Sequence, residues 1–280
     1  MNRNGCSTMA LAGTLALAAI SLPTHAASYD ILIGASGRQL TTSFFAHGAL
    51  PPGGGFATDF ASGQNLYPTD FGDFGGGPRA TNDPGFQSFA GTLDPGAIVS
   101  IQGIGSLEYW APATQAWSAP AGGELLRLHG AVPTDIALAY TFCQSGGPLC
   151  DRALAEQYPF YAAGTVFSAS GISGPNPAIV DDADSQGAFH AHLDWFIENP
   201  GGTPAPGAYL VTFAIVADGY QASEPVKVLF NYGLTEAQYL LAFDSRVQPV
   251  PEPPAVGLML AGLGFLMLWL RRRAPAAGIA

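Results

Sequence analysis

Positive charge is scarce in this chain. Its 280 residues include 10 lysines and arginines against 21 aspartates and glutamates, a formal net charge of −11, and Lys227 is the single lysine. Such a balance argues against nucleic acid and anionic lipid as partners, because both repel an acidic surface. It is compatible with cation binding, although acidic surfaces are also common solubilising devices.

Cysteine is equally rare, with 3 in the chain. Cys6 lies in the N-terminal leader, which leaves Cys143 and Cys150 on either side of a turn-like Gln-Ser-Gly-Gly-Pro-Leu. An even pair this close predicts a disulfide in an oxidising compartment. The rival interpretation is a thiolate metal pair, but six intervening residues are not a standard zinc spacing.

Familiar catalytic motifs are missing. Gly103-Ile-Gly105-Ser is not a nucleophile elbow, and the chain has neither a phosphate loop nor a His-Glu-x-x-His motif. The sequence therefore favours a non-enzymatic protein. A metal-dependent hydrolase is the less favoured alternative, since an incomplete ligand set can hold a catalytic ion.

Glycine and proline, by contrast, are abundant at 36 and 23 residues. They divide the chain into short segments, which favours strands and turns. We expect an all-β fold, an antiparallel β-sandwich of Ig-like or jelly-roll-like type with long Gly/Pro-rich loops, plus a C-terminal transmembrane helix. Residues 48–91 read as a long ordered loop region, and 151–158 and 235–241 as short helices. Strands are predicted at 29–33, 39–46, 97–104, 106–110, 124–129, 135–142, 164–169, 188–197, 208–217 and 225–231.

The N-terminus has the features of a signal peptide. Arg3 precedes an apolar stretch from Met9 to Ile20, and Thr24-His25-Ala26 is a small-residue cleavage site. We expect signal peptidase to remove residues 1–26, which leaves an exported domain over residues 27–247.

The C-terminus combines three elements. Val250-Pro251-Glu252-Pro253 precedes an apolar run over 255–270, and Arg271, Arg272 and Arg273 follow at once. Sixteen helical residues cover about 24 Å, slightly less than a hydrocarbon core of about 30 Å. The arginines should stay cytoplasmic, together with a tail over 274–280.

This order of elements over 248–273 resembles the PEP-CTERM sorting signal of Gram-negative bacteria. The same segment also resembles a segment that is described as an ice-binding-protein C-terminal domain. That description does not imply that the chain binds ice. The resemblance implies recognition by an exosortase, transient anchoring in the membrane, and delivery to the cell surface or the extracellular matrix.

One segment carries metal-binding chemistry. Residues 189–196 read Phe-His-Ala-His-Leu-Asp-Trp-Phe, and on a strand His190, His192 and Asp194 share one face while the apolar residues share the other. Alternate strand residues are about 6.6–6.8 Å apart, so two imidazoles can converge on one ion. The alternative is an ordinary solvated strand face.

A third ligand is not fixed by the local sequence. Asp194 is either a ligand or an orienting partner of an imidazole. The other candidates are His129, His47 and Asp184, the last in an acidic loop just upstream. A cupin is disfavoured, because no histidine follows the Pro206-Gly207 turn.

Residues 187–218 add a second resemblance. The His190-to-Phe196 segment, followed by Pro206-Gly207-Ala-Tyr209, looks like a motif of anchored-repeat and choice-of-anchor M surface domains. The layout of the whole chain is similar to the PEP-CTERM family repressed by the zinc-uptake regulator. The resemblance implies a role in zinc or manganese handling at the cell envelope.

Together these features predict an exported surface protein that binds a divalent transition metal. Zinc is favoured, with manganese or calcium as alternatives. The competing hypothesis is a structural matrix or adhesion protein without metal, for which an extracellular polysaccharide is a candidate partner.

Overall fold

The computed structural model describes residues 29–46, 57–72 and 76–247, and strands dominate them. The expected all-β class is confirmed. The strands, in chain order, are β1 (Tyr29–Ser36), β2 (Gln39–Ala46), β3 (Ala57–Thr58), β4 (Asn65–Asp70), β5 (Ala80–Thr81), β6 (Gly85–Ser88), β7 (Ile98–Ala111), β8 (Ala116–Ser118), β9 (Leu125–His129), β10 (Thr165–Ser168), β11 (Gly171–Ser173), β12 (Ala178–Asp182), β13 (Phe189–Ala191), β14 (Asp194–Glu198), β15 (Gly207–Ala217) and β16 (Val226–Tyr232). The helices are α1 (Thr134–Gln144), α2 (Arg152–Ala155), α3 (Tyr158–Ala162) and α4 (Glu236–Val247).

The strands form three sheets. The four-stranded sheet has the order β13-β6-β1-β2, and the five-stranded sheet has the order β11-β10-β9-β14-β5. The seven-stranded sheet has the order β12-β7-β15-β16-β4-β3, with β8 paired to β7. The pairings of β1 with β6 and of β16 with β4 are parallel, so the four- and seven-stranded sheets are mixed. The five-stranded sheet is antiparallel, as the sequence predicted for the whole fold.

One continuous hydrophobic core joins the three sheets. Alternation along β15 sends Tyr209 and Phe213 to the same face, and both are fully buried. The indole of Trp195 from the five-stranded sheet lies 6.3 Å from the Phe213 ring. Phe86 of the four-stranded sheet lies 6.2 Å from that same ring. The inner face of the seven-stranded sheet is thus covered by the two smaller sheets.

The opposite face of the seven-stranded sheet is covered by α4. Tyr239 and Phe243 of this helix pack on Leu210 and Trp110 in a second core. Thr235 and Gln238 form a capping box at the start of the helix. The Thr235 hydroxyl accepts a hydrogen bond from the backbone N–H of Gln238, and the Gln238 side-chain oxygen accepts one from the backbone N–H of Thr235. The predicted helix at 235–241 is confirmed and extends further.

Two helical assignments differ from the sequence prediction. Residues 135–142, predicted as a strand, form α1, in which Ile136 and Ala139 are buried at the spacing of three that a helical face requires. The predicted single helix at 151–158 is instead two short helices, α2 and α3.

The predicted disulfide is present, with the sulfurs of Cys143 and Cys150 at bonding distance. It links the end of α1 to the segment before α2 and closes a small loop. The two cysteines therefore form a local covalent cross-link and not a thiolate metal site.

The described residues of the region 48–91 include strands as well as loops. They form β3 to β6, and the Tyr67 and Phe86 side chains are fully buried in the core. The Phe60 and Phe89 side chains are exposed. The short strands were missed because Gly and Pro interrupt their hydrophobic pattern.

The predicted targeting segments fall outside the described residues. These are the signal peptide, the Pro251-Glu252-Pro253 motif, the apolar run over 255–270 and the arginines at 271–273. Every helix within the described ranges is too short or too polar to cross a bilayer.

Candidate metal site

The predicted strand 188–197 is interrupted, and the interruption builds the site. β13 pairs with β6 in the four-stranded sheet, whereas β14 pairs with β9 in the five-stranded sheet. His192 and Leu193 lie between them. The predicted apolar face still points inward, because Phe189, Leu193 and Trp195 are buried. The two histidines therefore lie on the outward side at a junction between sheets.

The partner of the histidines comes from the first strand. Asp30 of β1, His190 and His192 offer ligand atoms that all lie within 4.8 Å of one another. The His190 Nε2 atom is 3.1 Å from Asp30 Oδ2, and the His192 Nε2 atom is 3.7 Å from Asp30 Oδ1. The two Nε2 atoms are 3.1 Å apart. The described part of the chain contains this one group of potential metal-ligating side chains.

Strand pairing explains how Asp30 reaches the histidines. β6 is the central strand here, with β1 parallel on one side and β13 antiparallel on the other. Asp30 is in register with Gly85, and His190 is in register with Gln87 two residues along the same strand. Side chains two residues apart on a strand share a face, so these positions all lie on the same face of the sheet, opposite the core.

Gly85 makes room for the cluster. A Cβ atom at this position would lie 2.2 Å from Asp30 Oδ1 and 2.6 Å from His192 Cε1. These distances are far shorter than an ordinary contact of about 3.5–4.0 Å. The absent side chain is what allows the carboxylate and the imidazole to approach each other over β6.

The His192 ring is oriented by the loop before β6. Its Nδ1 atom lies 2.9 Å from the Asn82 carbonyl oxygen. A carbonyl only accepts, so this contact orients the ring with Nδ1 toward the Asn82 carbonyl and Nε2 toward Asp30 and His190. Protein groups that orient a ligand ring in this way are typical of metal sites. Asp83, a buried carboxylate 3.6 Å from the same Nδ1, adds negative charge behind the ring.

Exposure is graded across the cluster. The Asp30 side chain is fully buried, the His192 side chain is 27% exposed and the His190 side chain is 50% exposed. A buried carboxylate requires charge compensation. A cation held between Asp30 and two solvent-accessible imidazoles would supply it and could enter from the His190 side.

The other predicted ligands lie elsewhere. Asp194 faces His129 across the β14–β9 pair in the five-stranded sheet, and the His129 ring packs edge-to-face on Phe196 at 5.5 Å. Neither belongs to the ligand cluster. The strand break explains this, because it carries Asp194 into a different sheet from His190.

Asp184 is engaged within its own loop. Its carboxylate accepts from the backbone nitrogens of Ala188 and Gln186, and these bonds hold its pKa below the ordinary value. It is not in the ligand cluster. His47 falls outside the described residues.

Asp30 is the member of the cluster that sequence reasoning missed. Its local signal is a charged residue in a strand between Tyr29 and Ile31, both buried. Aspartate is almost never fully buried unless it is paired, so an acid at this position indicates a partner. The identity of that partner depends on strand pairing that the local sequence does not encode.

Comparison with known proteins gives no relative for this arrangement. No protein-family model, no curated protein and no solved structure matches the chain.

Proposed function

We propose that this chain binds a divalent transition metal through Asp30, His190 and His192. The observation that carries the proposal is the convergence of two imidazole nitrogens and a fully buried carboxylate on one point of the outer sheet face. The histidines were expected as ligands from their spacing, and Asp30 takes the place that the sequence left open.

The spacing of the ligand atoms supports an ion of zinc's size. Tetrahedral zinc has nitrogen and oxygen bonds of about 2.0–2.2 Å, which separates neighbouring ligand atoms by about 3.3–3.6 Å. The two Nε2 atoms are 3.1 Å apart, and they lie 3.1 Å from Asp30 Oδ2 and 3.7 Å from Asp30 Oδ1, respectively. With one ligand atom taken from each residue, all lie within 4.8 Å of one another, so side-chain adjustments would bring them to bonding distance of one ion.

The chemistry of the ligands supports zinc over calcium. Calcium takes six to eight oxygen ligands, whereas imidazole suits zinc and other late transition metals. Manganese prefers carboxylate and water oxygens, so two imidazoles make it the weaker candidate. Zinc remains the favoured ion and manganese the alternative.

The metal site is proposed to act in an exported protein without enzymatic activity. Support comes from the leader, from the sorting tail that resembles PEP-CTERM signals, and from the disulfide. In this proposal an exosortase recognises the Pro251-Glu252-Pro253 segment, and the β-rich domain, of Ig-like or jelly-roll-like type, reaches the cell surface of a Gram-negative bacterium. There it would capture scarce metal outside the inner membrane.

Metal titration of the full chain, purified in detergent, tests the proposal. We expect one zinc per chain in the wild type and a loss of at least about tenfold in affinity for His192→Ala. His129→Ala is the matched control, since it removes an imidazole that lies outside the cluster, and it should bind zinc as the wild type does. Equal affinity in all three proteins would refute the assignment, and a wild type without zinc would favour a matrix or adhesion protein.

A further inference from the structure

Gln87 is a buried amide beside the ligand cluster. The residue is 7% exposed, and its Nε2 atom has no hydrogen-bond partner among the described residues. Leaving a buried donor unpaired is unfavourable, and native proteins do so rarely. An unpaired donor next to a proposed metal site therefore needs an explanation.

The register places this amide on the metal-binding face. Gln87 lies two residues after Gly85 on β6, so its side chain leaves the same face of the sheet over which Asp30 and His192 meet. It is directly opposite His190 on β13. Side chains in such opposed pairs have Cβ atoms about 4.5–5.5 Å apart, within reach of one small bound molecule.

The proposed ligand set also leaves a coordination position open. Asp30, His190 and His192 provide three protein ligands, and three-ligand zinc sites keep the fourth position for water or an exogenous molecule. Two neutral imidazoles and one carboxylate leave a divalent ion with a net positive charge. An anion would therefore be attracted to the fourth position.

We propose that the metal-loaded site binds a small carboxylate anion, one oxygen on the metal and the other accepting a hydrogen bond from Gln87 Nε2. This inference rests on the proposed metal site. A carboxylate has two oxygens on one carbon, so a single molecule can satisfy both the ion and the buried donor. The protein would then bind a metal–carboxylate pair, with Gln87 as the residue that selects the anion.

Cobalt(II) and acetate test this inference on the full chain, purified in detergent. Cobalt has visible absorption bands that respond to its ligands, so a cobalt titration reports metal binding and a subsequent acetate titration reports the fourth position. We expect saturable spectral changes with acetate in the wild type and none with perchlorate at the same ionic strength. Gln87→Leu should bind cobalt as the wild type does but acetate at least about tenfold more weakly, which corresponds to about 1.4 kcal/mol.

Gln102→Leu is the matched control, because Gln102 is an exposed glutamine on β7 of a different sheet. It should behave as the wild type in both titrations. No acetate response in cobalt-loaded wild type, or an equal response in Gln87→Leu, would overturn the inference while leaving the metal site intact. Weaker cobalt binding in Gln87→Leu would also overturn it, since Gln87 would then be a metal ligand. A wild type that binds no cobalt would instead refute the proposed metal site itself.

Discussion

Replacing Gly85 by alanine would place a methyl group inside the ligand cluster while leaving all three ligands in the sequence. The new carbon would meet Asp30 Oδ1 at 2.2 Å and the His192 Nε2 atom at 2.8 Å. A normal contact needs about 3.5 Å, so both the carboxylate and the ring must retreat by about 1 Å. β6 is paired on both sides, which prevents its backbone from moving away instead.

The size of this displacement sets the expected effect. Metal–ligand distances vary by only about 0.2 Å in well-formed sites. Moving a ligand atom away by about 1 Å would therefore break its bond to the metal. Changes in the groups that support metal ligands typically lower affinity about 10–100-fold, or about 1.4–2.7 kcal/mol. We expect a loss of zinc affinity in this range for Gly85→Ala, accompanied by a destabilisation of about 1–3 kcal/mol from overpacking.

Competition between the protein and a fluorescent zinc chelator measures the affinity, and urea unfolding measures the stability. Gly34→Ala is the matched control, since Gly34 lies on β1 of the same sheet and its added methyl would meet only the Thr41 hydroxyl, at 2.8 Å. That variant should retain wild-type affinity. A folded Gly85→Ala protein with wild-type zinc affinity would refute the argument that the empty space over Gly85 is needed for metal binding.

Three further predictions concern residues away from the site. The Asp59 carboxylate is fully buried 3.2 Å from the Lys227 ammonium, so Asp59→Asn should lower the free energy of unfolding by about 3–5 kcal/mol; a change below 1 kcal/mol in urea unfolding would contradict this. Burial alone would raise the pKa of Asp59, but hydrogen bonds from Ser62 and the charge of Lys227 together lower it. The stability that Asp59 provides is therefore full above its unfolded pKa of about 3.9 and is lost as the pH falls through the lower folded pKa. Unfolding measured over a range of acid pH should show this loss in the wild type and not in Asp59→Asn. Replacing Cys143 and Cys150 by serine removes a disulfide that closes a small loop, so it should lower the free energy of unfolding by about 2–3 kcal/mol and leave zinc affinity unchanged. A drop in zinc affinity would show that the disulfide supports the site.

Local patterns predicted the parts of the fold that depend on neighbouring residues. The predicted strand 208–217 differs from β15 by one residue at its start, and the predicted strand 39–46 matches β2 at both ends. The failure at 135–142 has a local cause as well, because a short apolar run fits both a strand and a helix. Burial of Ile136 and Ala139 against their neighbours decided between them.

The site shows the same division between local and long-range information. His190 and His192 are two residues apart, so their shared face could be predicted from strand geometry alone. Asp30 is 160 positions away from His190, and it arrives through the parallel pairing of β1 with β6. Asp194 shares the local pattern, but the chain changes sheets between β13 and β14 and separates it from the cluster.

Anomalous diffraction at the zinc edge, from crystals of the full chain grown with zinc, tests the central claim most directly. The account predicts one strong peak about 2.0–2.2 Å from Asp30 and from the Nε2 atoms of His190 and His192. It also predicts that the peak disappears in crystals of His192→Ala. A wild-type map with no peak between these three side chains, or with its zinc bound at His129 and Asp194, would contradict it.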